Sequence, residues 1–269
     1  MKQAAILMIL AAAAALAACA QPVKPLPCPD PPGYRDTPQL PGQPWKVHDI
    51  DRPRPARVKG SVVATPPPSD AIVLFDGRNL DAWTSYRRGQ QLEPQWKVEN
   101  GVLTVAGRGD LVTKEQFGDI QLHLEWKPST LNCGQNRGNS GVILMGRYEI
   151  QVLESYENET YADGQAASLY GQFPPLKNAT HPPDQWNSYD IIFKAPKFEG
   201  DKIVSPPVVT VIHNGVLMHH AQAFIGQMAH RIHKPFEPHG PEAPLVLQNH
   251  NEPTSFRNIW VRRIGGYDQ

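Results

Sequence analysis

From Ala71 onward the chain is built of short runs in which apolar and polar residues alternate. Trp96-Lys97-Val98-Glu99 alternates, turns at Asn100-Gly101 and resumes as Val102-Leu103-Thr104-Val105. Asn-Gly between two such runs predicts a hairpin, because both residues tolerate the positive φ of a tight two-residue turn. A second Asn-Gly, Asn214-Gly215, separates Val208–Ile212 from Val216–Met218 and predicts another. Ile120, Leu122, Leu124 and Trp126 alternate with Gln121, His123 and Glu125, the pattern of a half-buried strand. Further strands are expected at Ala71–Phe75, Gly141–Met145, Tyr148–Leu153, Tyr189–Phe193, Leu245–His250 and Asn258–Arg263. Helical spacing is confined to Gln222–Ile232, the one candidate for a short helix. Many short strands between turn residues predict an all-β fold of antiparallel sheets, a β-sandwich or a jelly roll. No repeat period is visible, which argues against a propeller.

The pattern is different before Ala71. Lys2 precedes an uncharged apolar run, Ala4 to Ala18, shorter than the roughly 20 residues a spanning helix needs. Its length and small-residue ending are those of an export signal. Leu16-Ala17-Ala18-Cys19 resembles the lipobox of bacterial lipoproteins. The expectation is a signal at residues 1–18 and a membrane tether through lipidated Cys19, in the cell envelope. Ala20 and Gln21 follow the cysteine in place of a retention aspartate, which favours the outer membrane or periplasm. Residues 20–68 hold half of the chain's 28 prolines. Such density blocks helices and ladders, so 19–68 is read as an extended, solvated linker, with Trp45–Ile50 its one piece suited to docking. The folded domain is then 69–269.

Charge narrows the partners. Lys plus Arg and Asp plus Glu number 26 each, without basic blocks, which argues against nucleic acid as a partner. With Cys19 assigned to lipid, Cys28 and Cys133 remain; an oxidising compartment permits their pairing, but Cys28 falls in the expected linker, which argues against it. His219, His220, His230 and His233 show no zinc-motif spacing and are read as surface histidines.

Strand parity locates candidate chemistry. In Tyr148–Leu153, Glu149 and Gln151 share a face; in Leu245–His250, Gln248 and His250 do; Gln121, His123 and Glu125 form a third polar row. If the rows line one curved sheet, they form a groove of carboxylates, amides and imidazoles suited to the hydroxyls of a small carbohydrate. An ordinary solvated sheet face is the equally simple alternative. Glu149-Ile-Gln151-Val-Leu-Glu154 resembles the E-x-D-x-x-E signature of laminarinase-type β-glucanases, whose two glutamates act as nucleophile and acid/base. Gln151 stands where that signature has its middle acid, which counts against a direct glucanase.

An ordered set of motifs points further. Leu74-Phe75-Asp76-Gly77 with Leu80 and Trp83, then Trp96–Leu103, Asn139-Ser140-Gly141-Val142 and Tyr148–Glu154 come first. Leu169-Tyr170-Gly171, Trp186-Asn187-Ser188-Tyr189, Asn214-Gly215, Leu247-Gln248-Asn249-His250 and Phe256-Arg257-Asn258-Ile259 follow. Together they resemble the 3-keto-disaccharide hydrolase domain family over about Asp70 to Ile264. The resemblance implies a concanavalin-A-like (lectin/glucanase) sandwich and cleavage of glycosides whose sugar carries a ketone at carbon 3. The ketone acidifies the hydrogen on carbon 2, so a base, an oxyanion stabiliser and an acid for the leaving group suffice. On this reading Glu149 or His250 is the base, Tyr170 the acid or enolate donor, and Gln151 and Gln248 orient the sugar. Glu154 and Glu125 line the groove or hold a divalent cation, while Arg257 and Asn258 lock the last strands. A sugar 3-dehydrogenase is the partner that would supply substrate. The competing class is a non-catalytic, lectin-like sugar-binding module.

Overall fold

The computed structural model describes residues 28–61 and 64–266. The strands are β1 (Ile72–Phe75), β2 (Trp83–Arg87), β3 (Gln90–Leu92), β4 (Lys97–Glu99), β5 (Val102–Thr104) and β6 (Asp110–Phe117). Next come β7 (Ile120–Lys127), β8 (Ser140–Leu144), β9 (Tyr148–Val152), β10 (Asn187–Lys194), β11 (Lys197–Glu199) and β12 (Lys202–Ser205). The last are β13 (Val208–His213), β14 (Val216–Ala223), β15 (Ala243–Leu247) and β16 (Ser255–Arg263). One sheet runs β14-β13-β10-β7-β16-β5-β4, with β1 also on β16; the other runs β3-β2-β6-β15-β8-β9. The pairings within both are antiparallel, and β11–β12 is a separate hairpin. The expected two-sheet sandwich is therefore the fold.

The core lies between the sheets. Ile120, Leu122, Leu124 and Trp126 of β7 are buried on one side, and Tyr148, Ile150 and Val152 of β9 on the other. Tyr148 packs against Phe193 of β10 with ring centroids 6.1 Å apart, and the Tyr189 hydroxyl donates to the Gln151 carbonyl at 2.8 Å, so the layers touch directly. Each such fully buried large side chain is worth about 1.5–3 kcal/mol of transfer free energy. Parity then sends Glu149 and Gln151 to the outer face of the six-stranded sheet. Both Asn-Gly hairpins form, with φ of 52° and 77° at Asn100 and Gly101 and of 51° and 74° at Asn214 and Gly215.

Gln222–Ile232 is not helical. Gln222 and Ala223 stay in the β13–β14 ladder opposite Val209 and Val208, and the loop beyond is closed by a bridge between Gln227 and Lys234. Strands β2, β3 and β6 had no clear period in sequence; β6 loses its alternation at Lys114-Glu115-Gln116, where it is exposed.

The larger departure concerns the proline-rich segment. Its described part is folded back on the sandwich as a strap, where an extended solvated linker was expected. Tyr34 N–H donates to the His48 carbonyl at 2.8 Å and Val47 N–H to the Pro38 carbonyl at 2.9 Å, so the strap braces itself in spite of its prolines. Leu40, Val47 and His48 are buried. Arg52 donates to the Gln172 carbonyl at 3.0 Å, and Val58 N–H to the Asn178 carbonyl at 2.9 Å. Cys28 is disulfide-bonded to Cys133, which pins the start of the strap to the loop before β8. The linker reading argued against that pairing; it fails because docking brings the two Cα atoms to 5.7 Å. Cys19 and the export signal expected from the sequence lie outside the described residues.

Candidate active site

A cavity of about 390 Å³ opens on the outer face of the six-stranded sheet. Its floor is β9, which presents Glu149 and Gln151, and the chain leaving β15, which presents Gln248 and His250. β15 ends at Leu247, but Gln248 N–H donates to the Gly141 carbonyl at 3.0 Å and prolongs the register by one residue. On the far edge of β9, Tyr170 N–H donates to the Glu149 carbonyl at 3.1 Å, which sets Tyr170 beside Glu149.

Glu149 is the chemically distinctive group. It is 4% exposed, and its carboxylate lies over Gly141, where a Cβ would run into it. No hydrogen bond or ion pair to the Glu149 carboxylate is found among the described residues. Burial, and secondarily the charge of Asp110, push its pKa up to about 8. Asp110 is itself raised by burial, and it anchors the floor by accepting from Asn249 N–H at 2.7 Å.

Tyr170 sits in a chain of aromatic groups. Its hydroxyl is 3.1 Å from that of Tyr161 and 3.1 Å from His230 Nδ1. Partial burial and nearby positive groups lower the His230 pKa, which keeps the ring neutral and able to accept. Burial raises the Tyr170 phenol, so it holds its proton at neutral pH and serves as a donor, not a base. Behind Tyr161 the His48 ring stacks at 4.0 Å and is fixed by Asp163, whose Oδ1 is 3.1 Å from His48 Nδ1.

The Gln151 amide nitrogen donates to Gln135 Oε1 at 3.2 Å, and Gln135 is held in turn by the Gly164 carbonyl at 3.0 Å. Gln151 Oε1 and Gln248 Oε1 are buried with no partner among the described residues. An orphaned buried acceptor costs about 1–3 kcal/mol, which a ligand hydroxyl would recover. The site is thus built for O–H donors.

Five of the residues singled out in the sequence meet here: Glu149, Gln151, Tyr170, Gln248 and His250. Glu125 and Glu154 do not. Glu125 lies on the outer face of the other sheet, ion-paired to Arg257 at 2.6 Å and accepting from Asn258 at 2.9 Å. The third polar row therefore belongs to the opposite side of the sandwich, with His123 buried against Trp260 and its Nδ1 2.7 Å from Asp190. Arg257 and Asn258 act as the expected lock; Asn258 takes φ 48° at a register shift in β16. β9 ends at Val152, so parity no longer governs Glu154, which is buried in an ion pair with Arg137 at 2.8 Å. Neither glutamate is free to bind sugar or to hold the cation assigned to it.

Two histidines expected on the surface are elsewhere. His219 is buried, its Nε2 2.9 Å from the Ala167 carbonyl, and His230 lines the cavity. Asp30, Tyr34, Gln135 and Tyr161 also line it and carried no sequence signal beyond residue type; Asn139 lines it too, having opened a motif of the resemblance with no role assigned.

Two antiparallel sheets with a polar cavity on one outer face fit the expected concanavalin-A-like sandwich. Residues 70–262 match the 3-keto-alpha-glucoside-1,2-lyase-like domain, and the chain belongs to that family. It is 25% identical to a 3-keto-disaccharide hydrolase of Bacteroides thetaiotaomicron, a match covering 45% of this chain and 51% of that protein. The chain thus spans about half the length of that curated relative. Among solved structures, a candidate glycosyl hydrolase from Parabacteroides distasonis is 42% identical, with a TM-score of 0.71 over 79% of this chain and 93% of the other. A second candidate glycosyl hydrolase from that organism, 18% identical with a TM-score of 0.52 over 73% and 94% of the two chains, shares the fold.

Proposed function

We propose that the cavity cleaves glycosides whose sugar carries a ketone at carbon 3, by elimination across carbons 1 and 2. The observation that carries this is Glu149: a buried carboxyl without a hydrogen-bond partner among the described residues, raised to about 8 and set beside a phenol that keeps its proton. Its conjugate base is far stronger than an ordinary carboxylate. The family and the Bacteroides relative, both described by 3-keto substrates, support the same reading.

In the proposed reaction a Glu149 oxygen takes the proton from carbon 2. The electron pair of that C–H bond becomes the enolate between carbons 2 and 3, and its charge rests on the carbon-3 oxygen. Tyr170, held by Tyr161, donates to that oxygen in place of its bond to His230. The enolate then collapses, forming the C1=C2 bond and breaking the bond from carbon 1 to the glycosidic oxygen. His250, at the exposed rim, delivers a proton to the departing oxygen. The unpartnered oxygens of Gln151 and Gln248 accept sugar hydroxyls. Water can afterwards add to the enone, giving net hydrolysis. The ketone is supplied by an oxidising enzyme of the sugar 3-dehydrogenase class. The glucanase signature assigns its second carboxylate to Glu154, which is committed to Arg137.

The test is release of aglycone from a chromogenic 3-keto-glucoside. Wild type should release it and Glu149→Gln should not. No release by wild type, with sugar binding unchanged by Glu149→Gln, would identify a lectin-like module instead.

A further inference from the structure

The strap contributes a wall to the cavity, and it precedes the residues matched to the family domain, which begin at 70. Asp30, Pro31 and Tyr34 of the strap line the same cavity as Glu149, Gln151 and Gln248. Tyr34 is held as a rigid plate. The guanidinium of Arg231 lies 4.2 Å from its ring centre and is paired to Asp36 at 2.8 Å, and His230 meets the ring at 82° with centroids 6.0 Å apart. Asp30 is oriented by Asn136, whose amide donates to Oδ2 at 2.7 Å. The bridge from Cys28 to Cys133 fixes the chain two residues away.

We propose that this strap wall, outside the matched family domain, is the binding site for a sugar leaving group, with Asp30 and Tyr34 as its specificity-determining residues. The inference rests on the proposed elimination at Glu149. The reacting ring must lie on the sheet face to bring carbon 2 to Glu149, and Gln151 and Gln248 accept its hydroxyls there. What projects from that ring across the cavity meets Asp30 and Tyr34. A carboxylate that accepts hydroxyl protons beside an aromatic face that covers C–H groups is the pairing that suits a sugar ring. A small alkyl leaving group offers neither hydroxyls for the carboxylate nor a ring for the aromatic face.

The experiment compares two substrates, methyl 3-keto-glucoside and a 3-keto-glucosyl-glucose. Asp30→Ala and Tyr34→Ala are expected to lower kcat/KM for the disaccharide about 10-fold each, the loss of one good contact, and to change the methyl glycoside less than about 2-fold. Arg35→Ala, on the exposed side of the strap, should alter neither. Because Tyr34→Ala removes a packed ring, thermal unfolding and the milder Asp30→Asn are measured beside it. Equal losses on both substrates, or none on either, overturn the wall while leaving the elimination intact. Failure of wild type to cleave either substrate overturns the functional reading, and the wall with it.

Discussion

Replacing Glu149 by Gln should cost activity and gain stability, and the gain should appear only at higher pH. A carboxyl at 4.5 in the unfolded chain and at about 8 in the folded one binds its proton more tightly when folded. Below pH 4.5 both states are protonated and Glu149 contributes nothing. Between 4.5 and 8 the unfolded chain ionises first, so stability falls as pH rises; above 8 both are ionised and the loss levels off. The full shift corresponds to at most about 5 kcal/mol, because each pKa unit is worth about 1.4 kcal/mol. Glutamine keeps the shape and has no charge to desolvate. At pH 5 the two proteins should unfold within a degree or two of each other. At pH 9 the variant should be more stable by several kcal/mol, or roughly 10 °C in Tm for a domain of this size. Differential scanning calorimetry of both proteins across pH 5–9 reads this directly, since the other titrating groups are shared. Parallel Tm curves for the two would refute the reasoning. A kcat/KM profile that rises with pH toward about 8 should accompany it.

Other predictions follow from the same contacts. Gly141→Ala should lower kcat by more than about 10-fold, because the added Cβ displaces the Glu149 carboxylate; unchanged kinetics would show that the carboxylate need not lie there. Asp110→Asn retains the acceptor for Asn249 N–H but removes the like charge, so the kinetic pKa should move down by a minority of its elevation, burial being the larger cause. Glu125→Ala should destabilise by about 1–3 kcal/mol in chemical denaturation, since it removes the carboxylate partner of Arg257 and one of the two acceptors of Asn258, yet leave kcat/KM unchanged. Reducing the bridge between Cys28 and Cys133, 105 residues apart, should cost about 4–5 kcal/mol by loop entropy and weaken disaccharide cleavage more than methyl glycoside cleavage.

The sandwich was legible where side chains alternate and turns are chemically forced. Asn100-Gly101 and Asn214-Gly215 declared their hairpins because only such residues accept two successive positive φ values. Parity also placed Glu149 and Gln151 on one face. It could not say which sheet each strand joins, so Glu125 was grouped with them although β7 belongs to the other sheet. The family resemblance, not parity, put Glu154 in the groove, and β9 ends at Val152 before alternation can govern it. The strap was hidden for a different reason. Its backbone bonds run between irregular segments, Tyr34 to His48 and Val47 to Pro38, and no local period announces them. Asp30 and Tyr34 enter the cavity through tertiary docking and a disulfide, neither of which spacing reveals.

The elimination itself is tested most directly by isotope loss at carbon 2. A 3-keto-glucoside deuterated there is cleaved in ordinary water, and the first product formed is examined by mass spectrometry. Removal of that hydrogen by Glu149 predicts a sugar product that has lost its deuterium to solvent, at a rate abolished by Glu149→Gln. A product that retains the carbon-2 deuterium would mean that the glycosidic bond breaks without proton abstraction, and would contradict the mechanism.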